Sequence, residues 1–337
     1  MSRQPGYYLA LSTSLLAFVV ILLGAWTRLV DAGLGCPDWP ACYGQWTIPT
    51  SPEELARAEA LYPDSPVDPA RAAAEMIHRY AAGLLGLLVL GLVGMMFKFG
   101  HLQGYPRIPI VLLAALVIAQ ATAGALTVTL KLWPQIVVAH LLGGFATLGL
   151  LAIITCRLAN WTFPPIVIPQ RLAWAKILLI TGLILLVIQI ALGGWTSSNY
   201  AALACPDLPT CQGKWWPNAD FAEGFSLDQQ IGPNYLGGQL YHEARTAIHL
   251  AHRIGAVVVG VYLLVTVILL LRWRLPVLSG LAVLGILAVQ WLLGLLNILW
   301  QLPLSVSTAH NGVAALLLVA ILILVTQAFS FRQGSTR

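Results

Sequence analysis

Seven histidines punctuate an otherwise apolar chain, and five of them (His78, His140, His249, His252 and His310) fall in or at hydrophobic stretches. Ionisable side chains are costly in hydrocarbon and normally face a bundle interior. Imidazole is a common neutral ligand for iron. A macrocycle slotted between helices takes one axial ligand from each side. The spacing therefore predicts two haem-sized sites, His78 with His140 and His252 with His310. The plainer reading is interhelical hydrogen bonding by each histidine. Four histidines at matching positions and one depth favour ligation. Zinc fits less well, since structural zinc wants four ligands and catalytic zinc usually three. His101 and His242 read as loop residues.

The two histidine sets differ at one place. Glu75-Met76-Ile77-His78 aligns with His249-Leu250-Ala251-His252. A spacing of i, i+3 puts both side chains of each pair on one helical face. The first set thus carries a carboxylate one turn from an iron ligand, and the second an imidazole. Glu75 reads either as a first-turn acid favoured by the helix dipole or as a group that relays protons or steadies a developing cation. His249 reads as core packing, a polar contact or a spare ligand. Arg79 and Arg253, which directly follow His78 and His252, read either as forks for haem propionates or as side chains snorkelling to headgroups.

Cys36 and Cys42, like Cys205 and Cys211, are separated by five residues that include two prolines. A bridge within each pair, Cys36–Cys42 and Cys205–Cys211, suits an extracytoplasmic setting. A redox role for the bridges and a four-thiolate zinc site shared between the loops remain open alternatives. Cys156 reads as a buried free thiol.

The elements that must position these residues are apolar helices. Of 337 residues, 58% are hydrophobic and only 9% charged, and mean hydropathy is +0.81. So few charges cannot cover a soluble globule. Nucleic-acid binding through a basic patch and intrinsic disorder are excluded with it. Eight stretches reach the roughly 20 residues a bilayer crossing needs: 8–29, 76–99, 108–130, 135–157, 172–196, 245–271, 275–299 and 303–328. The first has no basic segment beyond Arg3 and no A-x-A site, so it reads as a retained helix rather than a signal peptide. All 13 acidic residues lie between spans one and two, at the start of span two, or between spans five and six, whereas the opposite ends carry Arg3, Lys98, Arg107, Arg157, Arg171, Lys176, Arg272, Arg274, Arg332 and Arg337. The positive-inside rule then places both termini in the cytoplasm and the cysteine loops outside. The four ligand histidines should lie within two turns of the outer ends of spans two, four, six and eight.

The chain also repeats itself. Gly24-Ala25-Trp26-Thr27 matches Gly193-Gly194-Trp195-Thr196, and Cys36–Cys42 matches Cys205–Cys211, both at an offset of 169 residues. His78-Arg79 matches His252-Arg253 at 174, and Ala139-His140 matches Ala309-His310 at 170. Each unit has four spans, so the expectation is an all-α polytopic membrane protein of eight transmembrane helices, built as two parallel-repeat four-helix bundles. The halves would be 1–165 and 166–337, divided in the proline-rich stretch 160–170.

The Glu-x-x-His-Arg run at Glu75–Arg79, the histidines on spans four, six and eight, and the twin Cys-x5-Cys loops together resemble the haem A synthase family, in the form with cysteine pairs in both outer loops. The resemblance extends from Gly24 to about Phe329. It implies oxidation of the C8 methyl of haem O to a formyl group through hydroxylated intermediates, giving haem A for terminal oxidases. It further implies His252 and His310 as axial ligands of a resident haem b, His78 and His140 as residues holding the substrate haem, and Glu75 as the essential carboxylate. Haem O would arrive from haem O synthase, within a complex, in a bacterial inner membrane, with an electron donor the sequence does not name. Some members lack the cysteines, so catalysis does not strictly depend on them. The residues taken alone also allow a di-haem b-type electron carrier or a haem chaperone or transporter.

Overall fold

A computed structural model describes residues 3–160 and 168–330. The division expected at 160–170 falls largely outside the described residues. Ten α-helices follow in order: α1 Tyr7–Leu29, α2 Pro52–Leu61, α3 Pro69–Phe99, α4 Arg107–Thr129, α5 Pro134–Leu158, α6 Leu172–Ser198, α7 Phe221–Gly224, α8 His242–Arg272, α9 Val277–Leu299 and α10 Leu304–Ser330. All but α2 and α7 are long and apolar enough to cross a membrane. In hydrocarbon every backbone N–H and C=O must be satisfied within the segment, which an α-helix does.

Local signals set the helix starts. Asp68 accepts hydrogen bonds from the backbone N–H of Ala70 and Arg71 ahead of α3, with Pro69 at its first position. Pro134 opens α5 in the same way. Ser51 and Glu54 form a reciprocal capping box on α2. Left-handed residues recur in matching turns: Asp31 and Tyr200 after α1 and α6, and Lys131-Leu132 and Gln301-Leu302 before α5 and α10.

Helices α3 and α8 begin earlier than their apolar runs and reach 31 residues each. At 1.5 Å per residue they are about 46 Å long, against a hydrocarbon core of about 30 Å. Their first turns therefore stand among the cysteine loops. His242, read from sequence as a loop residue, is the first residue of α8. His78 and His252 accordingly lie deeper than two turns from their helix starts, because polar residues precede the apolar segment.

Helix α1 packs on α3, α5 and α10, and α6 packs on α5, α8 and α10; α4 contacts α3 and α5, while α9 contacts α8 and α10. Helices α1, α5, α6 and α10 thus form the centre, with α3, α4, α8 and α9 outside. Their interface is a continuous apolar core that includes Phe145, Leu151, Ile154, Leu179 and Ile321. The outer helices leave Ile108, Ile118, Leu278 and Leu281 exposed, as lipid-facing residues would be. Close to the cysteine loops, Arg28 of α1 donates to the Ser197 carbonyl of α6, and Tyr200 donates to Asp31 at 2.6 Å.

Candidate functional site

Both cysteine loops are closed by disulfides, Cys36–Cys42 and Cys205–Cys211. With the thiols bonded in pairs, the shared four-thiolate zinc reading is overturned. Cys156 is a buried free cysteine. In each loop an aspartate gathers backbone donors. Asp38 accepts from the N–H of Tyr43 at 2.6 Å and Gly44 at 2.8 Å. Asp207 accepts from Gln212 at 2.5 Å, Gly213 at 3.0 Å and the Thr210 hydroxyl at 2.5 Å. The Thr210 hydroxyl and these amides hold the Asp207 carboxyl down at about 2.

The loops are clamped from below by α3 and α8. Glu75 is 5% exposed. Its Oε2 accepts the Cys36 N–H at 2.9 Å, and its Oε1 accepts from Arg79 at 2.5 Å. The other Arg79 fork reaches the carbonyls of Asp38, Pro40 and Ala41 at 2.9, 3.3 and 2.5 Å. His249 occupies the matching place in the second loop. The Cys205 N–H points at its Nδ1 from 3.2 Å and Arg253 Nε at its Nε2 from 3.1 Å. Arg253 also donates to the carbonyls of Thr210 at 2.9 Å and Cys205 at 2.6 Å. The structure therefore places Arg79 and Arg253 on loop carbonyls. Of the readings open for His249, a polar contact is the one its geometry matches.

A carboxylate can accept both donors. A neutral imidazole carries one N–H and accepts at the other nitrogen only, so one of the two contacts at His249 goes unanswered. The pocket is built for an acceptor pair and holds a single acceptor.

His78 and His252 follow three residues further along α3 and α8, and His140 and His310 stand on α5 and α10. Each ring rests against a glycine on a neighbouring helix. A methyl group at Gly24 would sit 3.0 Å from His78 Cε1; at Gly124, 3.4 Å from His140; at Gly193, 3.2 Å from His252; and at Gly294, 3.2 Å from His310. The glycines come from α1, α4, α6 and α9. His78 and His140 are electrostatic neighbours, as are His252 and His310. The Nδ1 atoms of His78 and His140 are buried without a hydrogen-bond partner. In the other pair, Gln189 Nε2 lies 3.0 Å from His252 Nδ1 and Gln290 Nε2 lies 3.2 Å from His310 Nε2.

Among the described residues no three His, Cys, Asp or Glu side chains gather as a metal cage. Paired imidazoles are instead the donor set for an iron already held by a macrocycle. Sequence reasoning singled out both pairs and Glu75; the structure makes the members of each pair electrostatic neighbours and buries Glu75. It missed the aspartate turns and the role of Arg79 and Arg253 on loop carbonyls, although the repeated Cys-Pro-Asp-x-Pro-x-Cys run marks the aspartates.

Residues 7–322 match the COX15-CtaA family, described as cytochrome oxidase assembly protein. The chain is 43% identical over 316 residues to a haem A synthase of Shewanella oneidensis, covering 92% of each chain. It is 27% identical over 213 residues to a haem A synthase of Halalkalibacterium halodurans, covering 61% of this chain and 63% of that one. A haem A synthase of Shouchella clausii is 27% identical over 229 residues, or 65% of this chain and 67% of its own.

Proposed function

Because this chain belongs to the haem A synthase family of COX15-CtaA cytochrome oxidase assembly proteins, we propose that it oxidises the C8 methyl of haem O to a formyl group. Hydroxylated intermediates precede the product, haem A, which goes to terminal oxidases. The half spanning 1–165 receives the substrate between His78 and His140. The half spanning 166–337 keeps a haem b between His252 and His310.

The residues present fit these groups. The paired imidazoles supply axial donors from facing helices, the four glycine cradles bring each ring close to the neighbouring backbone, and the orphaned Nδ1 atoms of His78 and His140 await a partner. Bound haem b supplies one-electron transfer. His252 and His310 hold it, and Gln189 and Gln290 orient their rings. His78 and His140 orient the substrate. Glu75, held by Cys36 N–H and Arg79, takes up protons released as the methyl carbon is oxidised, or steadies positive charge beside it. The charge distribution supports a bacterial inner-membrane protein with cytoplasmic termini and extracytoplasmic disulfide loops. Haem O synthase supplies the substrate within a complex; oxidation of the methyl needs an external oxidant such as dioxygen, and a separate donor supplies the electrons that reduce it to water.

The observation that carries this reading is Glu75 standing where the other half has His249, each above a histidine pair. Glu75→Gln keeps the shape and one acceptor but removes the charge. The purified variant should keep its b-type absorbance and lose haem A formation by at least 100-fold, in the range a general acid–base group contributes. Wild-type product levels in Glu75→Gln would remove Glu75 from the chemistry.

A further inference from the structure

Arg245 lies in the first turn of α8, and its Nε is buried without a hydrogen-bond partner. Its guanidinium makes no ion pair among the described residues. A buried charged donor left unpaired is costly, so an acceptor from outside the chain is the natural complement. Arg245 precedes His252 by seven residues. Seven residues are close to two turns, which places Arg245 within about 20° of the His252 face and about 10 Å nearer the cysteine loops. His252 meets Gly193 and Gln189 of α6 on that face.

The matching arginine of the first half behaves differently. Arg71 precedes His78 by seven residues but pairs with Asp68 at 3.3 Å, and the two side chains are 46% and 50% exposed. Three residues before Arg245 stands His242 in place of that aspartate. Arg253, the arginine beside His252, has Nε, Nη1 and Nη2 directed at His249, Thr210 and Cys205. The free fork is therefore on Arg245.

We propose that Arg245 binds a propionate carboxylate of the haem b held by His252, in the role the sequence had suggested for Arg253. The assignment rests on haem b occupying the C-terminal half. A guanidinium fork matches a carboxylate with two parallel hydrogen bonds. The Arg245 pair would anchor the loop-facing edge of the macrocycle, while the arginine next to the ligand histidine secures the disulfide loop.

The test is the rate at which haem b leaves the full-length purified protein for excess apomyoglobin. Arg245→Gln should lose haem about tenfold faster than wild type, the scale of one charge-assisted hydrogen bond. Arg245→Lys should fall between, and Arg71→Gln should stay within about twofold of wild type. Wild type reconstituted with haem b dimethyl ester should also lose its haem about tenfold faster than with free haem b. In Arg245→Gln that ester effect should shrink to within about twofold. An unchanged rate in Arg245→Gln, or an undiminished ester effect there, overturns the assignment. If Arg245→Gln does not fold, equal retention of haem b and its ester by wild type overturns it, as it would if the arginine served a lipid phosphate. A wild type that purifies without haem b overturns the two-haem reading as well.

Discussion

His249 sits between two donors, the Cys205 N–H and Arg253 Nε, that one neutral imidazole cannot both satisfy. Glu75 answers the matching donors of the first loop, the Cys36 N–H and Arg79 Nη2, with two oxygens. His249→Glu should therefore tighten the second loop by about 1–3 kcal/mol, the cost of one unsatisfied buried donor. Hydrogen exchange at the Cys205 amide reads this directly, and faster exchange in His249→Glu would show that the pocket is not acceptor-seeking. The pairing of Glu75 with His249 was legible from the alignment of the repeats, because both sit three residues before a histidine. Their hold on the cysteine loops was not, because the partners are backbone N–H groups and carbonyls that carry no side-chain signature. The same holds for Arg79 and Arg253: sequence marks them as cations beside ligands, but only the folded loop supplies the carbonyls that occupy them.

Helices α3 and α8 carry both layers of the site: Glu75 and Arg79, or His249 and Arg253, hold the loop, and the proposed ligand histidine, His78 or His252, lies between them in sequence. Their apolar runs were readable from hydropathy. Their full starts were not, since 69–75 and 242–244 carry Arg71, Glu75, His242 and Glu243 and so fall outside the apolar run, held in the helix by Asp68 and by packing under the loops. Helix α2 had a readable start in Ser51-Pro52-x-Glu54, a signal the long-span reading passed over. The partner helices α1, α4, α6 and α9 act through glycine. Gly193→Leu places a side chain where the His252 ring rests, yet leucine favours helix over glycine by close to 1 kcal/mol. A loss of b-type absorbance in Gly193→Leu with α-helical content unchanged is expected, and Gly24→Leu should instead spare that absorbance and lower haem A formation. Normal absorbance in Gly193→Leu would show that the cradle does not position the ligand.

Across the whole molecule, the spans meet at the centre along α1, α5, α6 and α10. Both histidine pairs lie toward the end that bears the disulfide loops, and the apolar core continues beneath them. That depth suits chemistry on a lipid-soluble porphyrin entering from the bilayer better than passage through it. The proposed division, with oxidation in one half and electron transfer in the other, rests on the unequal residues at the loop clamps, Glu75 and His249. Mass analysis of the porphyrins extracted from purified histidine variants tests that division most directly. Replacing His252 or His310 with alanine should remove haem b, while replacing His78 or His140 should leave haem b in place and deplete haem A and its hydroxylated precursors. Haem b retained without His252 and lost without His78 would contradict it.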